Sequence, residues 1–368
     1  MNNLKKYFKN TYKSLIQAFF KLIYGKVIVA STNVTSKLLI VKEIRIEDNN
    51  YNIYKTENCR LFTTSVHDQS VIINNNLIKG PSFQLRVKNN DSLFARNNAV
   101  IEDNIVLKIG TPRFIKKVKG KVFSLLAGGA AKTNYFHWLF EVLPKFEILK
   151  RIENIENIDF FLLPNIKMTH HQDTLKLLNI HGSKLLDSTS YKHIFCDELY
   201  VVDHPFCLSN NTIFDTQNMP AWIFNWVRKE FLHHKSSKSF PDKIFIERTQ
   251  SISNSRDIKN KEEVYKIFKD NNFTFIKLEN FGFKDQIKIF FSAKKIAGLH
   301  GAGFANICFC NPKAEIIEFK TKTTGMILGN IALKTNLEYK GITCEAFNKF
   351  GGQQGELIVP IDELKKRI

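Results

Sequence analysis

The spacing of hydrophobic positions changes along this chain of 368 residues. Residues 27–125 contain short runs of β-branched residues with partial alternation, which are separated by clusters of Asn, Asp and Gly. This pattern predicts β-strands. Farther along, apolar runs of strand length alternate with segments that have helical spacing. Such alternation predicts parallel sheets that are connected by right-handed crossovers.

The alternating region begins with a helix that should be buried. Hydrophobic residues surround most of the helical wheel between Asn134 and Arg151. Asn134 suits an N-cap, and Pro144 is expected to kink or interrupt the helix. Strands are then predicted at 159–163, 193–203, 243–247, 273–278, 295–299 and 314–319, and helices at 170–180, 220–233, 261–271 and 284–293.

The length of the chain favours two domains rather than one. The polar stretch His234–Ser239 is the best candidate for a linker between them. The prediction is a basic amphipathic segment at 1–26, an N-terminal domain at 27–235 and a C-terminal domain at 240–345. The tail at 346–368 could return to the N-terminal domain. Hydrophobic residues are 43% and charged residues 24% of the chain, as in soluble globular proteins.

The formal net charge is +19, and it is concentrated at the N-terminus. Residues 1–42 contain eight lysines and no carboxylate. Nucleic-acid binding is allowed by this charge but is not indicated, because the chain has no arginine-rich tract. Residues 4–24 could instead form a basic amphipathic helix on an anionic membrane, or a helix that caps the fold, or a disordered segment. Lys21 interrupts the apolar part of this segment, which argues against a signal peptide.

No apolar run is long enough to predict a membrane span. The six cysteines show no disulfide-framework spacing, and Cys308 and Cys310 have no second pair with which to bind zinc. Reduced thiols are therefore expected, and with them a cytoplasmic location, with the protein peripheral on the inner face of the membrane if residues 4–24 bind there.

The buried helix carries the first candidate chemistry. On a helix, Asn134, His137 or Trp138, Glu141 and Lys145 share one face. A His and a Glu one turn apart in an apolar helix are costly unless they are paired or face a cleft. The pair could supply a general base, or it could be a structural contact that fixes the helix.

Arginines and glycines follow two predicted strands. Arg248 and Arg256 flank a Ser- and Asn-rich loop after the strand 243–247, where guanidinium groups would suit a diphosphate. The strand 295–299 runs into His300-Gly301-Ala302-Gly303, where backbone N–H groups at a helix start could bind an anion. A solvated surface loop and a tight strand–helix turn are the structural alternatives. Glu318, on the next strand, could accept hydrogen bonds from a ribose or from the arginines.

Together these segments resemble glycosyltransferase family 61, which includes bacterial capsular polysaccharide biosynthesis proteins. The order and spacing agree over roughly residues 128–320. The family has Ser or a basic residue where Glu247 stands and an acid where Lys261 stands, so the chain departs from the family pattern around the phosphate loop. The matching residues are Asn134, Tyr135, His137, Trp138, Glu141, Leu143, Pro144, Arg248, Arg256, Asn260, Glu263, His300, Gly301, Ala302, Gly303 and Asn306.

The resemblance implies a GT-B fold, with two Rossmann-like domains that face a cleft, and an inverting mechanism with no cofactor and no obligatory metal. The donor would be a nucleotide-sugar, most often a UDP-sugar that carries a hexosyl, pentosyl or N-acetylhexosaminyl group. The acceptor would be a glycan or a lipid-linked glycan of the cell envelope. A non-catalytic nucleotide- or carbohydrate-binding relative and a nucleic-acid-binding protein are the alternatives.

The resemblance also assigns roles to residues. Glu141 is the favoured base, with His137 positioning it or the acceptor, and the reverse assignment stays open. Donor binding falls to Arg248, Arg256, His300, Gly301, Ala302, Gly303 and Asn306. Supporting roles fall to Asn134, Trp138, Asn260, Glu263 and Glu318.

Overall fold

The fold is a mixed α/β arrangement that divides into two compact units. The structure is a computed structural model, and it describes residues 2–85, 100–127, 132–209, 211–248, 256–347 and 355–368. Unit 1 comprises Met1–Met168 and Ile180–Thr212, and unit 2 comprises Thr169–Asn179 and Ile213–Ile368. The chain therefore passes between the units three times. The change of unit after Thr212 differs from the predicted linker at 234–239.

Unit 1 contains ten strands and five α-helices in its described residues. Within 27–85 and 100–125, most of the predicted strands are confirmed, but the helix Thr32–Leu38 interrupts them and the run at 104–109 forms the helix Ile105–Ile109 instead of a strand. The strands are β1 (Ile28–Val29), β2 (Ile40–Ile46), β3 (Asn49–Phe62), β4 (Asp68–Ile73), β5 (Asn76–Leu77), β6 (Phe83–Gln84), β7 (Lys116–Ser124), β8 (Phe160–Leu163), β9 (Leu185–Asp187) and β10 (His193–Val202). The helices are α1 (Asn2–Tyr24), α2 (Thr32–Leu38), α3 (Ile105–Ile109), α4 (Tyr135–His137) and α5 (Lys145–Lys150).

The strands of unit 1 form one sheet in the order β1-β5-β4-β3-β10-β7-β8-β9, with β2 beside β3 and β6 beside β4. Strands β10, β7, β8 and β9 are parallel, whereas β3 is antiparallel to β10. From β7 the chain moves outward to β8 and β9 and then returns to the other side as β10. The order thus reverses between β7 and β10, and residues that follow these two strands emerge side by side.

Unit 2 contains seven α-helices and eight strands in its described part. The helices are α6 (Thr169–Leu177), α7 (Thr212–Gln217), α8 (Ala221–Phe231), α9 (Lys261–Asp270), α10 (Phe283–Ser292), α11 (Ile327–Lys334) and α12 (Ile361–Lys365). The strands are β11 (Lys243–Glu247), β12 (Asp257–Ile258), β13 (Thr274–Lys277), β14 (Lys295–Leu299), β15 (Glu315–Lys320), β16 (Glu338–Thr343), β17 (Glu345–Ala346) and β18 (Glu356–Ile358).

The main sheet of unit 2 is entirely parallel, in the order β13-β11-β14-β15-β16. This is a doubly wound order, and its reversal lies between β11 and β14. Apolar strand residues such as Phe245, Ala297 and Ile317 are buried between the sheet and its helices. The predicted alternation of strands and helices is thus confirmed in unit 2. Because β11 and β14 are neighbours in the sheet, the loops that follow them leave the sheet side by side.

The C-terminal tail packs on unit 2. Strand β18 pairs with β12, and Leu357 and Leu364 are buried in the same core as Phe268. The side-chain amide of Asn260 donates to the carbonyl of Val359 at 2.9 Å and accepts from its N–H at 3.0 Å. The described part of the tail therefore lies with the C-terminal domain, whereas the sequence prediction allowed it to return to the N-terminal domain.

Candidate active site

The helix that begins at Tyr135 changes geometry where the sequence predicts an interruption. The side chain of Asn134 accepts from the N–H of Phe136 at 3.0 Å, which confirms the N-cap. Residues 138–142 then form a π-helical turn, in which Leu143 N–H donates to the carbonyl of Trp138 at 3.2 Å. Because Pro144 has no N–H, the backbone ladder cannot continue through it, and α5 starts afresh after it.

His137 and Glu141 are hydrogen-bonded across this turn. His137 Nδ1 lies 2.5 Å from Glu141 Oε1. The side chain of Glu141 is only 5% exposed, whereas that of His137 is 25% exposed. Trp138 is fully buried beside them and fixes the turn in the core. The structure therefore brings the two predicted catalytic residues together, with the imidazole as the more accessible partner.

A second histidine, which the sequence analysis missed, lies on the other side of the same carboxylate. His204 follows β10, and its Nδ1 accepts from the N–H groups of Phe206 and Cys207 at 3.3 and 2.9 Å. Its proton must therefore be on Nε2, which lies 3.8 Å from Glu141 Oε2. No donor among the described residues makes a hydrogen bond to this Oε2. The signal in the sequence was a histidine directly after a strand, but its partner depends on the order of the strands.

The two histidines keep Glu141 ionised. Burial alone would raise the pKa of this carboxyl, but the charge and hydrogen bond of His137, with a smaller effect of the nearby His204, hold it at about 2. A carboxylate with so low a pKa is a weak proton acceptor. It is instead well suited to hold His137 with the Nδ1 proton directed inward and Nε2 directed away from the carboxylate.

Lys145 completes this group one turn beyond Glu141. It is buried, and its Nζ donates to the carbonyl of Leu126 at 2.6 Å, just after β7. Burial lowers its pKa to about 8, although the charges of Asp203 and Glu141 act in the opposite direction. The sequence predicts that His137, Glu141 and Lys145 share one helical face. In unit 1, Lys145 brings this face into contact with the end of β7.

The second group of candidate residues lies in unit 2, at the carboxyl ends of β11 and β14. Arg248 and Arg256 each donate from Nη1 to the carbonyl oxygen of His300, at 2.9 and 3.0 Å. Burial lowers the pKa of both guanidinium groups, and the charge of Arg248 lowers that of Arg256 further, to about 10. The loop between them, residues 249–255, lies outside the described residues. Two like charges therefore converge on one carbonyl oxygen.

The glycines after His300 make room for neighbouring side chains. A Cβ on Gly301 would lie 2.7 Å from Arg248 Nη1, and a Cβ on Gly303 would lie 2.7 Å from Leu278 Cδ1. The φ of Gly301 is 177°, which is extended backbone that any residue can adopt. Glycine is needed at this position because there is no space for a side chain. Gly301 thus allows Arg248 to approach the backbone, and a 3₁₀ helix begins at Ala302 and runs to Phe309.

A buried carboxylate orients His300. Its Nδ1 is hydrogen-bonded to Glu318 Oε1, and the hydroxyl of Tyr339 donates to Glu318 Oε2 at 2.5 Å. Burial and the charge of Glu318 raise the pKa of Tyr339. Both oxygens of Glu318 are thus engaged within unit 2, which differs from the predicted contacts with a ribose or with the arginines. Tyr339 had no distinguishing signal in the sequence, because β16 was not predicted.

The remaining predicted residues make contacts away from the two arginines. Asn306 is buried, and its amide donates to Gln286 Oε1 at 3.0 Å and to the carbonyl of Gly303 at 3.2 Å. Asn260 holds the C-terminal tail, as described above. Glu263 is exposed in the first turn of α9. These contacts indicate that Asn306 and Asn260 stabilise the fold around the site.

A small pocket opens beside the arginines at the ends of β14 and β15. Its walls include Arg256, His300, Lys320, Thr321 and Thr324. The hydroxyl groups of Thr321 and Thr324 lie 3.1 Å apart. Leu299, Phe319 and Leu357 complete the lining, so the pocket combines cationic and hydroxyl groups with apolar walls. Within the described ranges, no cluster of three or more His, Cys, Asp or Glu residues could hold a metal ion.

Comparison with known proteins identifies a region that contains most residues of both groups, although Glu318 and Tyr339 lie beyond its end. The family model described as Glycosyltransferase 61 matches residues 135–317, from the start of α4 into β15. The matched region includes His137, Glu141, Arg248, Arg256 and His300. No curated protein matches the chain.

Proposed function

Because this chain belongs to glycosyltransferase family 61, we propose that it moves a sugar from a nucleotide-sugar to a hydroxyl group of a growing cell-surface polysaccharide or glycan. Membership in the family makes the protein a glycosyltransferase. The proposal adds the chemistry: a UDP-sugar donor, inversion at the anomeric carbon, and no obligatory metal. The group that is transferred would be a hexosyl, pentosyl or N-acetylhexosaminyl group.

The convergence of Arg248 and Arg256 on one carbonyl oxygen carries the proposal. Half-buried guanidinium groups this close together repel each other, and a diphosphate would offset both charges at once. As an imidazolium ion, with Nδ1 held by Glu318, His300 would add a third donor through Nε2. These groups can stabilise the charge that develops on the leaving diphosphate, which supports a reaction that does not depend on a metal ion.

His137 is the general base in this proposal, and Glu141 is its buried partner. The acceptor oxygen attacks the anomeric carbon and forms the new C–O bond, while its proton moves to His137 Nε2. The bond between the anomeric carbon and the diphosphate oxygen breaks, and its electron pair leaves with the nucleotide. This assignment reverses the one that the sequence favoured. Its support is the greater exposure of His137 and the low pKa of Glu141.

The GT-B arrangement belongs to the same proposal, with acceptor binding assigned to unit 1 and donor binding to unit 2. Each group of candidate residues follows strands at which the order of its own sheet reverses, and such points bind ligands in α/β proteins. We also propose a cytoplasmic location. All six cysteines are free, which suits a reducing compartment.

Calorimetric titration with UDP, GDP, CMP and their sugar conjugates tests the donor site, first with EDTA and then with added Mg²⁺ in place of EDTA. We expect one nucleotide to bind, and Arg256→Ala to weaken its binding by about tenfold to a hundredfold because a charge-assisted contact is lost. Arg45→Ala, which removes an exposed arginine of unit 1, is the matched control. Binding that requires a divalent cation would refute metal independence. Binding of nucleic acid at low salt, without any response to nucleotides, would refute the transferase proposal.

A further inference from the structure

The N-terminal helix α1 turns an apolar face toward solvent. Phe8, Leu15 and Leu22 are spaced at seven residues and therefore lie along one line of the helix, and Tyr12 and Phe19 lie beside them. All five side chains are exposed, from 50% for Phe19 to 87% for Leu22. An apolar stripe of this length on the surface of a soluble protein indicates an interaction site.

The opposite side of α1 is fixed to unit 1 at the end of the helix. Phe20 is buried and packs edge-on against Phe114, with ring centroids 4.9 Å apart. The hydroxyl of Tyr24 accepts from the N–H of Ile115 at 3.3 Å, and Arg60 lies over the ring of Tyr24. Lys21 Nζ donates to the carbonyl of Lys108 at 3.2 Å. These contacts set the rotation of the helix, so the apolar stripe has a fixed outward direction.

The charge of the segment decides what covers the stripe. Helix α1 contains five lysines and no carboxylate, and the first carboxylate of the chain is Glu43. The alternating spacing of four and three residues from Phe8 to Leu22 could also pair two copies of the helix. Two copies would however bring like charges together, with no carboxylate to offset them. An anionic surface would attract the lysines while the aromatic and aliphatic side chains enter it.

We propose that α1 docks unit 1 onto an anionic lipid surface, with Phe8, Tyr12, Leu15, Phe19 and Leu22 inserted at the level of the headgroups and the lysines that precede Lys21 beside the lipid phosphates. The helix lies on the membrane rather than across it, since none of the described helices is long and apolar enough to span a bilayer. This surface is separate from the transferase site and does not rest on the proposed reaction.

Co-sedimentation of the full chain with vesicles tests the proposal. Vesicles of phosphatidylcholine alone are compared with vesicles that also contain phosphatidylglycerol, at low and high salt. We expect binding to the anionic vesicles that weakens with salt. The triple variant Phe8→Ala, Leu15→Ala, Leu22→Ala should reduce the partition coefficient at least about tenfold, because it removes apolar area but keeps both charge and helix propensity.

Two further variants separate the contribution of the lysine charges to vesicle binding from that of the apolar side chains. Lys9→Gln with Lys13→Gln should also weaken binding at least about tenfold, since each lysine near an anionic surface contributes attraction. The matched control, Ile40→Ala, Val41→Ala and Leu333→Ala, removes exposed aliphatic side chains elsewhere and should bind as the wild type does. Thermal stabilisation by UDP, measured on every variant, reports folding and donor binding independently of lipid.

Three results would overturn the proposal. The first is no binding to anionic vesicles. The second is binding that the α1 triple variant leaves unchanged. The third is a triple variant that binds lipid as the wild type does but has a different oligomeric state in analytical ultracentrifugation. The apolar stripe would then join two copies of the chain.

Discussion

Glu141 is a buried carboxylate between two imidazoles, and each imidazole has a different role. His137 shares a short hydrogen bond with it and has a partly exposed ring, whereas His204 is fixed by backbone N–H groups and contributes a nearby Nε2 proton. In the proposed mechanism, this asymmetry distinguishes His137, which exchanges a proton with the acceptor, from Glu141 and His204, which hold it in place.

Replacement of His137 by Gln should reduce sugar transfer by about 10²- to 10⁴-fold, the usual contribution of a general base. Donor binding should be unchanged, because unit 2 supplies it in the proposed mechanism. Initial rates of transfer and calorimetric titration with the nucleotide provide the two measurements. Glu147→Gln, on the nearby helix α5, is the control and should be fully active. Weaker nucleotide binding in His137→Gln, with the rate of the bound complex unchanged, would exclude His137 as the base.

Lys145 gives a pH dependence of stability whose sign is unusual. Its pKa is lowered to about 8 in the folded protein, against 10.5 for the ordinary side chain. Between these two pH values the unfolded chain holds a proton that the folded chain has lost, so the contribution of Lys145 to stability rises with pH. The free energy of unfolding of the wild type, relative to Lys145→Met, should rise by up to about 3 kcal/mol from pH 8 to pH 10.5.

Urea unfolding of both proteins across this range measures the difference. A difference that stays constant with pH would show that Lys145 is charged in the folded protein throughout. A difference that falls with pH would show that its pKa is raised, as in an ordinary ion pair.

Sequence reasoning identified residues whose partners are close along the chain. The pair His137 and Glu141 follows from one helical turn, and the N-cap at Asn134 follows from its side chain. Sequence reasoning missed His204 and Tyr339, because the order of the strands, and not the spacing of residues along the chain, brings their partners close. The role of Glu318 could not be predicted for the same reason, since it depends on the neighbouring strand β16.

Among the elements, the turn after β14 has the most specific requirement. Gly301 leaves the space that the Arg248 guanidinium occupies. Gly301→Ala should fold, because extended backbone accepts any residue, but it should displace Arg248 and weaken nucleotide binding by about tenfold. Calorimetric titration measures the affinity, and circular dichroism checks the fold.

Gly282→Ala is the matched control for this substitution. It precedes helix α10, and its added Cβ would meet no atom within 4 Å. We expect it to bind nucleotide as the wild type does. Equal affinity in both variants would contradict the assignment of Arg248 to the donor site.

The elements themselves were predictable where they are regular. The strands 243–247 and 295–299 agree with β11 and β14 in their bounds, because each apolar run is too short for a buried helix and alternates with helical segments. The helix after Asn134 was predicted to be interrupted at Pro144, but its π-helical turn was not predicted. That turn depends on how Trp138 and Glu141 pack in the core, which periodicity does not encode.

At the scale of the whole molecule, helix α6 is the main departure from the predicted organisation. It lies between two segments of unit 1 in the sequence but packs in unit 2, where Asp173 accepts from the N–H of Phe283 at 3.4 Å. The amphipathic pattern of a helix predicts that one face is buried, but it does not show which sheet or helix covers that face. Domain bounds drawn along the sequence therefore could not place it.

Leu175→Ala tests the assignment of α6. Leu175 is buried, so its truncation should lower the free energy of unfolding of unit 2 by about 2–5 kcal/mol. Hydrogen exchange followed by mass spectrometry should show faster exchange in α10 and unchanged exchange in the sheet of unit 1. Leu162→Ala, in the core of unit 1, should give the opposite pattern. Faster exchange in unit 1 alone for Leu175→Ala would contradict the division of the chain.

The placement of α6 has a consequence for synthesis of the chain on the ribosome. Helix α6 ends at Leu177, and its partner α10 begins at Phe283, so about a hundred residues separate them. At a synthesis rate of about 5–20 residues per second, α10 is synthesised roughly 5–20 seconds after α6, and the apolar face of α6 stays exposed during this time. During that delay the nascent chain is vulnerable to aggregation, and slower translation would lengthen the delay.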